Sequence, residues 1–390
     1  MLQFQYIIYE RLKKMKKILI LYAAYGGGHF SAAKSLKEYI DNNFNDVETN
    51  IVDCVKYINK ALDKITTGAY KQMAKKAPWA WKKVYYQSEK GALSKISNSS
   101  NRLMAKKLIH LFEEEKPDLV ISTHPFGTQM TGYLKRKHKY NCKLATILTD
   151  FAPHDQWLVE SEYGDYFFVS HDGMKKSLIQ DFKIDSSKIF VTGIPLSNRF
   201  LQDFNNEEIY NSFDLKPNKK TILFFGGGEF GLGKNRTVEI LKALTNHLDQ
   251  YQIVAISGKN PKMNTAFKEL ASELSDSSSL KIYDFINSVP EIMHISNLVV
   301  TKPGGLTVTE SLASELPILI INPIPGQEEE NAEFLEQSGA AIWLRPNDSP
   351  ELVVENLLNS EDKLSDMKEK ASNLAHIHST QNICNILLQN

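Results

Sequence analysis

Thr301–Asn331 reads TKPGGLTVTESLASELPILIINPIPGQEEEN. The short apolar run Leu298–Thr301 has the length and β-branching of a strand and stops at a proline and two glycines. Glycine permits a tight turn and close backbone approach. A helix is expected to begin near Gly304, and a second apolar run, Ile318–Asn322, follows it. Pro325-Gly326 then makes a turn and presents the polar pair Gln327-Glu328. Strand, glycine turn, helix and strand in this order form a parallel βαβ unit.

The same grammar recurs along the chain. Strands are expected at Lys17–Ala23, Glu48–Cys54, Asp118–Ser122, Lys143–Thr149, Tyr166–Ser170 and Lys188–Thr192. A second series is expected at Thr221–Phe225, Gln252–Ser257, Lys281–Phe285, Leu298–Thr301, Ile318–Asn322 and Ala341–Leu344. Helix-length amphipathic stretches separate them, which predicts an α/β protein with two Rossmann-like parallel-sheet domains facing a cleft. The Asn/Asp/Pro-rich stretch Gln202–Lys220 reads as the linker. The expected division is an extension over 1–14, domains over 15–200 and 201–375, and a C-terminal helix over 376–390 packing back on the first domain. Ligands in such folds sit beyond the carboxyl ends of strands.

Two further strand ends run into glycines, at Gly26-Gly27-Gly28-His29 and at Gly226-Gly227-Gly228-Glu229-Phe230-Gly231. A helix N-terminus behind such a turn offers free N–H groups to an anion. The second cluster matches G-x-G-x-x-G, but no acidic strand end follows about 20 residues on, which argues against NAD. Gly228–Asn235 nearly matches a P-loop, with Asn235 where a magnesium-binding Ser or Thr would stand.

The 390 residues carry no net charge, but between Val55 and Ile109 thirteen basic residues face only Asp63 and Glu89, giving that segment +11. No apolar run approaches membrane-spanning length. The apolar run at the start contains Gln5 and ends at Glu10, unlike a signal peptide. Cys54, Cys142 and Cys384 have no metal or redox spacing and read as reduced, cytoplasmic thiols.

The Lys302-Pro303-Gly304-Gly305 and Pro325-Gly326-Gln327-Glu328 pair resembles the donor-binding region of glycosyltransferases that use UDP-sugars on lipid acceptors. The resemblance is to processive diacylglycerol β-glucosyltransferases and plant-type monogalactosyldiacylglycerol synthases (glycosyltransferase family 28), and more distantly to the peptidoglycan N-acetylglucosaminyltransferase. It extends past Met15 to the glycine turn ending in His29, to Thr149-Asp150-Phe151 with His154 and Trp157, and to Val191-Thr192-Gly193-Ile194-Pro195. It implies the GT-B fold, an inverting displacement and no catalytic metal; the sequence has no D-x-D triplet.

The resemblance assigns the ribose hydroxyls of UDP to Glu310 and the hexose to Gln327 and Glu328, with Asn331 a further candidate. Gly304, Gly305 and Thr307 are expected at the pyrophosphate, with Gly227, Gly228 and Gly28 lining the same space. Phe285 is a candidate to flank the uracil, although Asp284 stands where relatives often carry glycine. His29 is the candidate general base, because a helix N-terminus favours its neutral form. Asp150 and His154 are candidates to orient it or touch the acceptor, against a capping role, and Trp157 is expected with His154 on the acceptor and membrane side.

The basic segment also holds Trp79, Trp81, Lys82 and Lys83. Lysines interleaved with aromatic rings suit an anionic membrane surface, each lysine contributing on the order of 1 kcal/mol. That predicts a peripheral protein on the inner face of the cell membrane, acting on UDP-hexose and diacylglycerol without nucleic acid. The rival readings are a UDP-N-acetylglucosamine-dependent transferase or epimerase and a non-catalytic nucleotide-sugar sensor.

Overall fold

The computed structural model describes residues 16–58, 92–137, 140–227 and 233–389. Residues 1–14, Gly228, Trp79, Trp81, Lys82, Lys83 and most of the basic segment lie outside them.

All twelve expected strands form, in two six-stranded parallel sheets. The first has the order β2-β1-β3-β4-β5-β6: β1 (Lys16–Tyr22), β2 (Val47–Asp53), β3 (Leu119–Ser122), β4 (Lys143–Ile147), β5 (Tyr166–Val169) and β6 (Ile189–Val191). The second has the order β12-β11-β10-β7-β8-β9: β7 (Lys220–Phe225), β8 (Tyr251–Ile256), β9 (Leu280–Tyr283), β10 (Leu298–Thr301), β11 (Ile318–Ile320) and β12 (Ala341–Trp343). Parallel sheets are covered on both faces, so their central strands are largely apolar, whereas the edge strand β2 keeps Glu48, Thr49 and Asn50. In β1 the alternation sends Ile18 and Ile20 to one face and Leu19 and Leu21 to the other, and each pair joins a separate buried cluster.

Each sheet reverses direction once. From β1 the chain first goes out to β2 and then returns to β3 on the other side; from β7 it goes out to β8 and β9 and returns to β10. Crevices open at such switch points. Gly26–His29 follows β1 and His124 follows β3, while Gly226-Gly227 follows β7 and Lys302–Gly305 follows β10.

The expected linker is not an open connection. Asn205 caps the helix Asn206–Ser212 by accepting the Glu207 N–H, and Ile209, Phe213 and Leu215 are buried in the second sheet's core. The Asn/Asp/Pro content that suggested a linker supplies this cap and the turns around it. At the far end, the helix Ser379–Leu388 places Ile383, Cys384 and Leu387 in the cluster around Ile18, Ile20, Leu36 and Ile40 of the first sheet. Lys16 and Leu196 each hydrogen-bond to it. Ile383→Ala removes a fully buried side chain there and is expected to cost roughly 2–5 kcal/mol, read as an earlier guanidinium midpoint for the first sheet's unfolding.

Candidate active site

A cavity of about 450 Å³ lies where the two switch points face each other, lined by Gly28, His29, Thr149 and Asp150 from one side and by Gly227, Lys302, Gly305 and Gln327 from the other. Helices begin at the lining residues Gly28, Gly305 and Gln327. The N-caps of the first two, Gly27 and Gly304, have no side chain to satisfy the first N–H groups, so those donors and the positive dipole ends are left for a ligand.

His29 is the second residue of the helix Gly28–Asn43. Its Nδ1 lies 2.6 Å from the Thr123 carbonyl oxygen and 3.0 Å from the Thr149 hydroxyl. A carbonyl oxygen only accepts, so Nδ1 carries the proton and Nε2 keeps its lone pair. Burial pushes the pKa down to about 4 against the opposing pull of the Thr123 carbonyl, so the ring is neutral at physiological pH. The ring of His124 packs edge-on against it at 4.6 Å.

The seam below the cavity is made by three consecutive residues of the first half. A Cβ on Gly305 would overlap the Thr149 carbonyl oxygen, so the turn after β10 reaches this position only as glycine. Asp150 is buried, and burial raises its pKa to about 6 against hydrogen bonds with Gln327, Asn331 and Trp157. The Phe151 N–H donates to Asn331 Oδ1 at 2.8 Å. Asn331 Nδ2 donates to the Pro303 carbonyl at 3.0 Å and to Asp150 Oδ1 at 3.4 Å. One amide thus makes two hydrogen bonds across the two halves and a third within its own.

On the donor side, Gly227 has φ +99°, and its missing Cβ would stand 3.6 Å from Lys302 Cε. Lys302 and the Ile324 N–H counter the burial that raises the Glu328 pKa; Glu328 Oε2 accepts that N–H at 2.6 Å. Phe285 is 61% exposed at the cavity edge, with Lys259 Nζ 5.6 Å from its ring centre. Thr307 lines the cavity, whereas Glu310, further along the same helix, is half-buried outside its lining. Burial alone raises the Glu310 pKa to about 8. Among the described residues no three His, Cys, Asp or Glu side chains gather as a metal site.

Two family models cover most of the chain: monogalactosyldiacylglycerol (MGDG) synthase over residues 29–196 and the glycosyltransferase family 28 C-terminal domain over residues 221–384. A processive diacylglycerol beta-glucosyltransferase from Bacillus mycoides is 31% identical over 91% of this chain and 89% of its own length. The chain belongs to this glycosyltransferase family. Among solved structures, Acinetobacter baumannii MurG superposes with a TM-score of 0.63 at 14% identity, over 96% of this chain and 100% of its own. Staphylococcus aureus MnaA in complex with UDP gives 0.61 at 16%, over 96% of both chains. The fold is GT-B.

Within this glycosyltransferase, the cavity gathers His29, Asp150, Gly28, Gly227, Phe285, Gly304, Gly305, Thr307, Gln327, Glu328 and Asn331. Some expected roles do not fit. Asp150 and His154 do not hold the His29 ring; Thr123 and Thr149 do. His154 caps the turn Asp155–Trp157 by accepting the Gln156 N–H, and lies outside the cavity lining. Trp157 is 2% exposed in a core cluster, so it presents no surface to a membrane. Asn331 lines the cavity, but its amide is committed to the seam. Lys302, quoted only as part of a motif, is a cation in the lining; a lysine before a strand-end glycine turn was the available signal. Thr123 acts through a backbone carbonyl, which no side-chain pattern reports.

Asn331→Asp replaces two donated hydrogen bonds with a carboxylate facing Asp150 and a carbonyl. It is expected to destabilise the protein by roughly 3–5 kcal/mol, more at pH 8 than at pH 5, where Asp150 takes up a proton. Glu310 has a folded pKa of about 8 against its ordinary 4.5, so the folded state holds the proton more tightly. Wild-type melting temperature should therefore fall relative to Glu310→Gln as pH rises between those two values, and the gap should stay constant above them.

Proposed function

We propose that this protein moves a hexose, with glucose the favoured sugar, from a UDP-sugar to 1,2-diacylglycerol with inversion, and adds further sugars processively. The acceptor class rests on the relative's activity and family membership. The observation that carries the chemistry is a neutral His29, with its Nε2 lone pair uncommitted, across one cavity from an uncapped helix N-terminus and Lys302.

In the proposed reaction the acceptor hydroxyl gives its proton to His29 Nε2 as its oxygen bonds to the anomeric carbon. The bond from that carbon to the diphosphate breaks on the opposite face. The N–H groups at Gly305 and the Lys302 ammonium take the leaving charge, so no catalytic metal is required. We assign the hexose to Gln327 and Glu328, the uracil to Phe285 and the ribose to Glu310, which stands one helical turn beyond the lining residue Thr307. Among the described residues no helix is long and apolar enough to cross a membrane. We assign access to the lipid to the lysine- and aromatic-rich segment 55–109, docked from the cytoplasmic side on an anionic bilayer.

Vesicles of anionic lipid and diacylglycerol, with EDTA and UDP-glucose, UDP-galactose or UDP-N-acetylglucosamine in turn, test this reading. A β-linked glucosyl lipid is the expected product by mass spectrometry and NMR; no lipid product from any donor would overturn it. His29→Ala should lower kcat by about 10²-fold or more. The acid limb of kcat/KM owed to His29 should fall near pH 4, and one near pH 6 that vanishes in Asp150→Asn belongs to Asp150.

A further inference from the structure

Thr149 is 6% exposed just beyond β4 and touches both working parts of the cavity. Its hydroxyl lies 3.0 Å from His29 Nδ1. Its carbonyl oxygen bears on the Gly305 turn so closely that no side chain fits between them. The Nδ1–H of His29 is therefore shared between two acceptors of different kinds. The Thr123 carbonyl belongs to the same half of the molecule as the ring, and its position is set by β3. Thr149 follows β4 in that same half, but its carbonyl oxygen abuts the turn that opens the donor-side helix.

We propose that Thr149 is a positioning residue that couples occupancy of the donor turn to the orientation of His29. A diphosphate drawn onto the N–H groups of Gly305 pulls on or settles that turn. The carbonyl of Thr149 moves with it, and the hydroxyl of the same residue turns the imidazole. Thr123 fixes which nitrogen carries the proton; Thr149 fixes where the other nitrogen points. The base is thereby aligned when the donor is seated. The inference rests on the assignment of His29 as base.

Thr149→Val keeps the shape and removes the hydroxyl. It should lower kcat about tenfold, the size of one lost hydrogen bond, with KM for UDP-glucose changed less than twofold. Thr149→Ser should restore the rate. In the wild type, UDP should shift the His29 ring resonances in NMR; in Thr149→Val, UDP should bind with its affinity retained and the shift should disappear. Wild-type kcat in Thr149→Val, or a persisting UDP-induced shift, would overturn the coupling. Measured alongside, a fully active His29→Ala would overturn the base assignment itself. An inactive His29→Ala beside a normal Thr149→Val would sink the Thr149 role alone.

Discussion

The contact between Gly305 and the Thr149 carbonyl is the constraint from which the rest of the site follows. Each sheet supplies its own crevice at its own switch point, and neither crevice alone encloses a cavity. Pressing the turn after β10 onto the end of β4 brings the two together. Asn331 then locks the approach with two hydrogen bonds to the first half and one to Pro303, all from a fully buried amide. Removing such an amide leaves partners that water cannot reach, so the seam tolerates few side chains.

Enclosure also sets the charge of the cavity. Burial drives His29 down to about 4, Asp150 up to about 6 and Glu310 up to about 8. Desolvation disfavours the charged form of each, in opposite directions for bases and acids. Near neutral pH the histidine is uncharged, Asp150 is largely ionised within its hydrogen bonds, and Glu310, beyond the lining, is largely protonated. The positive features are helix N-termini, which cannot be titrated away, and Lys302. The diphosphate of the proposed donor would meet these positive features already in place.

Much of this was legible in the sequence. Strand positions were, because parallel sheets demand unbroken apolar runs and glycine marks their ends. The cavity's glycines and His29 were, because they stand at strand ends where the fold concentrates its ligands. What the sequence concealed depends on side-chain direction inside loops. Trp157 and His154 share a polar loop and were assigned outward; the loop folds in, burying one ring and using the other as a cap. Asn331 follows Gln327 and Glu328 about one turn along the same helix and lines the cavity with them, yet its amide is spent on the seam. No pattern of residue types separates these three; only the approach of Phe151 and Pro303 does. The Asn205–Ser212 segment misled for a related reason, since capping residues and linker residues are drawn from the same polar set.

The division of labour between the two sides also follows from this geometry. A general base must stay unprotonated, while a leaving diphosphate needs positive potential close by. The two demands agree, because positive potential that stabilises an anion also disfavours the protonated form of a nearby imidazole. The N-terminus of the Gly28–Asn43 helix opposes protonation of His29 and adds to the field facing an anion, and burial enlarges both effects by removing water that would screen them. With Gly28 packed toward Leu306 at the start of the facing helix, the two dipole ends converge on one volume. Burial keeps the imidazole neutral, and the helix N-terminus that adds to this effect also faces the cavity with a positive potential that is backbone, fixed by the fold.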